Sequence, residues 1–166
     1  MTRNGFTLVE LVVVIAIIGI LLAIATLNFN SWVTRQNIDR EVKEMHAEIM
    51  AAKQRALVTG QNYAVQFPDT STLVFRRFSS SADAAGSVAQ TKSLRYPVTL
   101  SSADPITFND RGVMEDANDK ILCVFTDANP AVDALVITQT RVSVGRIKNQ
   151  GSKDAAACTK ANIEIK

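Results

Sequence analysis

The spacing of apolar residues changes twice along the chain. Residues 6–27, FTLVELVVVIAIIGILLAIATL, are apolar apart from two threonines and one carboxylate, Glu10. As a helix rising roughly 1.5 Å per residue, this run is about 33 Å long, enough to cross the hydrocarbon core of a bilayer. The polar NFNSW at 28–32 interrupts it and marks a place for a kink, with Trp32 where an interfacial aromatic anchors a membrane helix. Beyond it Ile38, Val42, Met45, Ile49, Ala52 and Ala56 recur at alternating intervals of four and three, which puts them on one helix face. Gly60 is a suitable terminator. The pattern predicts one helix over residues 6–59, lipid-like in its first half and amphipathic in its second.

After Gly60 the pattern turns to short β-branched and aromatic runs separated by turn residues: 62–67, 72–78, 93–100, 106–108, 121–125, 134–140, 141–148 and 162–166. The small, polar residues 79–90 read as a surface loop. The expected fold class is α+β, with the long N-terminal helix packed on an antiparallel β-sheet or two-sheet C-terminal domain. The expected divisions are a leader at 1–5, an apolar membrane helix at 6–27, its amphipathic continuation at 28–60 and a β-rich domain at 61–166.

Composition narrows the chemistry. Over 166 residues, 18 Lys and Arg oppose 16 Asp and Glu for a net charge of +2, so the whole-chain balance identifies no polyanionic partner. The lone histidine, His46, falls off the apolar helix face and reads as solvated, and no glycine-rich phosphate loop leads into a lysine. DANDK at 116–120 lacks the spacing and closing glutamate of a calcium loop. No enzymatic activity, cofactor, metal or small-molecule substrate is expected. Cys123 and Cys158 have no metal-ligand spacing and form either a disulfide, in an exported domain, or two buried thiols.

A carboxylate inside an apolar run is costly, so Glu10 either snorkels to headgroups or has a partner. The side chains three and four residues away are Phe6, Thr7, Val13 and Val14, none cationic. A cation therefore has to come from another chain. If the leader is removed before Phe6, the new α-amino group of a neighbouring subunit supplies one.

Residues 5–10, Gly-Phe-Thr-Leu-Val-Glu, following a short leader with Arg3 and preceding a long apolar helix, resemble the class III signal of type IV pilins and pseudopilins. The resemblance implies cleavage between Gly5 and Phe6 by a prepilin peptidase and N-methylation of Phe6. It further implies pairing of Glu10 with the Phe6 amine of an adjacent subunit in a helical filament, made of other pilin or pseudopilin subunits. It also implies an inner-membrane, single-pass chain with a cytoplasmic N-terminus and a periplasmic domain that passes into a pilus or a type II secretion filament.

Residues 51–67, ITFNDRG at 106–112 and VSVGRIK at 142–148 resemble the GspH/FimT type of minor pilins and pseudopilins, with Lys148 where that family's closing element has Arg or Lys. Six basic residues after position 140 face only Asp154 and Glu164. Arg146 and Lys148, alternating on a strand, with Arg141 and Lys153 in support, are candidate contacts to duplex DNA, the alternative being a solvated edge.

Overall fold

The computed structural model describes residues 7–80, 83, 85–151 and 153–166, without the side chains of 24–28. Helix α1 runs unbroken from Leu8 to Thr59, 52 residues, so the helix continues through the polar 28–32 segment. Gly60 ends it at φ 62°, ψ 27°, a left-handed conformation that glycine adopts without strain, and its N–H donates to the Ala56 carbonyl. Six residues of the predicted stripe, from Ile38 to Ala56, are at most 1% exposed.

Two antiparallel sheets receive that stripe. The first has the order β3-β2-β1-β5, built from β1 (Tyr63–Asp69), β2 (Thr72–Arg77), β3 (Ser87–Ser93) and β5 (Ile106–Phe108). The second has the order β4-β6-β7-β8-β9, from β4 (Thr99–Leu100), β6 (Lys120–Cys123), β7 (Ala134–Ile137), β8 (Val142–Ile147) and β9 (Ile163–Ile165). The helix stripe joins Val65, Leu73, Phe75, Phe108, Leu122 and Leu135 in one core. A smaller cluster, including Ile121, Val136, Ile147 and Ile163, lies on the opposite face of the second sheet. Strands β6 and β7 are thus covered on both faces, which is why they read as continuous apolar runs rather than alternating ones. Cys123 of β6 is bonded to Cys158, tying the C-terminal segment across that outer face with 5.9 Å between the Cα atoms.

Two expectations need correction. Residues 87–90 of the expected loop belong to β3, whose inward side chains are polar: Gln90 donates to Glu48 of α1 and Lys92 pairs with Glu44 at 3.1 Å. Of the expected strand 93–100, Ser93 ends β3 and only Thr99–Leu100 joins the second sheet. Pro97 offers no N–H, and Leu94 and Val98 donate instead to Ser71 and Thr70 in the β1–β2 turn.

Among the described residues no helix is long and apolar enough to cross a membrane. Phe6 and the side chains of 24–27, part of the expected span, lie outside the described set.

Buried charge locks the packing at specific points. Lys120, 4% exposed, pairs with Asp116 at 2.6 Å and Asp104 at 3.3 Å. Its burial alone lowers its pKa, but the two carboxylates outweigh that and hold it above the ordinary lysine value. Asp39 of α1 accepts the Val132 N–H at 2.9 Å, and the adjacent Asp133, 1% exposed, accepts from the Ile147 N–H at 2.6 Å and Gln150 Nε2 at 2.7 Å.

Burial pushes Asp133 up from 3.8 to about 6, against the lowering effect of the Ile147 hydrogen bond and the Arg146 charge. The folded chain therefore holds this proton more tightly than the unfolded chain. Its contribution to stability is full below about pH 4, declines as the pH rises to about 6, and is flat above that. We predict that the stability of the wild type relative to Asp133→Asn falls by on the order of 2 kcal/mol between pH 4 and 7, measured by denaturant unfolding. A pH-independent difference would mean that Asp133 stays ionised in the fold.

Candidate functional site at the helix N-terminus

Thr7-Leu8-Val9-Glu10 has the form of a capping box, a hydroxyl followed three residues later by a glutamate before an apolar run. Thr7 is extended at φ −80°, ψ 149°, and its Oγ1 accepts the Glu10 N–H at 3.2 Å while its carbonyl accepts from Leu11 at 3.3 Å. This satisfies one of the N–H groups that every helix leaves unpaired at its start. Glu10 is the acidic residue of the first turn, where its charge favours the positive end of the helix dipole. This role of Glu10 follows from the T-x-x-E spacing and needs no cation nearby.

Around Glu10 the helix is apolar on every side and exposed on every side. Leu8 is 80% exposed, Ile15 57% and Leu22 61%. A surface of that kind needs an apolar environment all round, in contrast with the single buried stripe of residues 38–56. Gly5 and Phe6 lie outside the described residues.

Four of the C-terminal cations have partners within the chain. Arg146 of β8 donates through Nη2 to Asn129 Oδ1, bears electrostatically on the buried Asp133, and stands opposite Glu164 of β9. Lys148 donates to the Ala161 carbonyl at 3.4 Å, Lys153 pairs with Asp127 at 2.9 Å and Lys160 with Asp119 at 2.6 Å. Arg141 sits in the β7–β8 turn, five residues and about 16 Å of strand from Arg146. Of the four candidate DNA contacts, Arg141 thus stands apart from Arg146 along β8.

Asp116 and Asp119 of the DANDK segment are likewise paired with lysines, and among the described residues no group of His, Cys, Asp and Glu is arranged to hold a metal ion. His46 is partly buried rather than solvated: its Nε2 lies 3.2 Å from the Val142 carbonyl, and Lys53 donates to the Thr140 carbonyl, so both tether α1 to the β7–β8 turn.

Removing the Thr7 hydroxyl leaves the first turn of α1 uncapped. Thr7→Ala should cost roughly 1 kcal/mol of local helix stability, seen as faster amide exchange at residues 8–11 with exchange at 45–56 unchanged; equal exchange at 8–11 in both proteins would show that the cap contributes nothing.

The family model described as the prokaryotic N-terminal methylation motif matches residues 1–26. A fimbrial protein of Pseudomonas aeruginosa is 41% identical over 59 residues, which is 36% of this chain and 38% of that protein. The type IV major fimbrial protein FimA of Dichelobacter nodosus is 37% identical over 59 residues, 36% of this chain and 37% of that protein. The chain thus spans less than two-fifths of the length of these curated relatives. Among solved structures, the type IV minor pilin FimU of P. aeruginosa aligns with a TM-score of 0.52 at 15% identity, over 73% of this chain and 95% of that one. The minor pseudopilin EpsH of the Vibrio cholerae type 2 secretion system aligns with a TM-score of 0.51 at 12% identity, over 71% and 99%. At those identities the likeness is one of fold. The chain thus carries a methylation-motif N-terminus on a long helix, joined to a two-sheet domain whose fold is similar to those of the minor pilin FimU and the minor pseudopilin EpsH.

Proposed function

We propose that the chain is a structural subunit, a minor pilin or pseudopilin, that assembles through the N-terminal half of α1 into a type IV pilus or type II secretion filament. A prepilin peptidase removes residues 1–5 by cutting between Gly5 and Phe6, and Phe6 is N-methylated. Residues 6–27 then hold the chain in the inner membrane as a single pass, with the domain at 61–166 on the periplasmic side. On extraction, the same residues pack among the helices of neighbouring subunits. The observation that carries this reading is a helix that is apolar and exposed all round over residues 8–22, with Glu10 as the only charge there, on a chain whose C-terminal domain is similar in fold to a minor pilin.

Glu10 then has consecutive roles. In the isolated chain it belongs to the capped first turn. In the filament it accepts the methylated Phe6 amine of a neighbour, and because a lone charge at membrane depth costs about 2.5–3.5 kcal/mol at the helix centre, the pairing selects the stagger at which both charges are met. The DNA-binding alternative is weakened by the partners that Arg146, Lys148 and Lys153 already have within the chain.

Intact-mass measurement of the chain from its native membrane tests the processing step. The expected species begins at Phe6 and carries one extra methyl group; a chain retaining Met1 would show an ordinary anchored protein.

A further inference from the structure

We propose that Phe29, Trp32 and Arg35 form a collar on α1 that binds phospholipid headgroups and fixes the depth of the helix before assembly. The proposal rests on the membrane-anchored reading above. Phe29 and Trp32 are one turn apart on the same side of the helix, 60% and 56% exposed, with ring centroids 6.1 Å apart. Neither packs into the core, which begins at Ile38.

Their axial position is informative. The apolar run ends at residue 27, and Trp32 lies about 7.5 Å further along the helix. The headgroup layer on each side of a bilayer is roughly 5–8 Å thick, so the pair occupies that layer and the indole reaches its aqueous edge. Arg35, one turn beyond, is exposed and is the only charged residue between Glu10 and Asp39. Arg40, by contrast, pairs with Glu44, and Asp39 is buried against Val132. Arg35 therefore has no ion pair among the described residues, its i+4 neighbour Asp39 being turned to Val132, and it lies within side-chain reach of the level the aromatic pair occupies. An apolar ring, an amphipathic indole and a cation suit a layer of phosphates above hydrocarbon.

Trp32 is the only tryptophan in the chain, so its emission reports on the collar alone. The full-length chain is placed in phosphatidylcholine vesicles containing lipids brominated either near the headgroup end or near the methyl end of the acyl chain. The expected result is stronger quenching by the shallow bromolipid, further strengthened by phosphatidylglycerol, with Arg35→Gln removing that increment and keeping the rest. Emission that floats with the vesicles yet is unquenched, or blue-shifted without quenching as against protein, overturns the collar and leaves the anchor intact. A phosphatidylglycerol increment that survives Arg35→Gln overturns the role of the arginine. A chain that does not float with vesicles overturns the anchored reading and the collar together.

Discussion

Both sheets are held to one face of one helix. Ile38, Val42, Met45, Ile49, Ala52 and Ala56 are buried along about 27 Å of α1, and the inner faces of both sheets close on them. Neither sheet shares a strand with the other, so the stripe is what makes their inner faces one core. Polar groups then fix the alignment. Asp39 holds Val132 near one end of the stripe, Glu41 accepts the Arg95 and Tyr96 N–H groups, His46 faces the Val142 carbonyl, and Lys53 reaches Thr140. The directionless apolar contact supplies the bulk of the burial, while these contacts set register along the helix axis.

The same helix continues N-terminally with no such partner. Residues 8–22 repeat apolar side chains on all faces, and their exposure in the isolated chain is a physical demand for lipid or for other helices. Glu10 is the one group there that neither lipid nor an apolar helix satisfies. Its place in the first turn lets Thr7 and the helix dipole ease that cost in a single chain without removing it. On the proposed function, a subunit that passes from membrane to filament needs a group that is tolerated in the first setting and matched in the second, and Glu10 has that character.

Features that depend on local periodicity were legible in the sequence. The 3–4 spacing of residues 38–56 and the apolar runs of β6 and β7 gave their elements directly, because burial on one helix face or on both sheet faces leaves a pattern within a few residues. What escaped depends on partners distant in the chain. Strand β3 carries polar residues inward because Glu44 and Glu48 of α1 meet them, and nothing near Gln90 or Lys92 announces this. The C-terminal excess of lysine and arginine looked like a patch until Asp127 and Asp119 were found beside Lys153 and Lys160. Burial of Asp133 and Lys120 likewise appears only in three dimensions. The Thr7 cap is legible in the T-x-x-E spacing of residues 7–10, because a cap depends on backbone donors within one turn.

The most direct test of the account is the incorporation of Glu10→Val subunits into filaments sheared from cells that also make the partner subunits. The account predicts a chain that is cut and present in the membrane but strongly depleted from the filament fraction. Incorporation at the wild-type level would contradict it, leaving the carboxylate as no more than part of a helix cap.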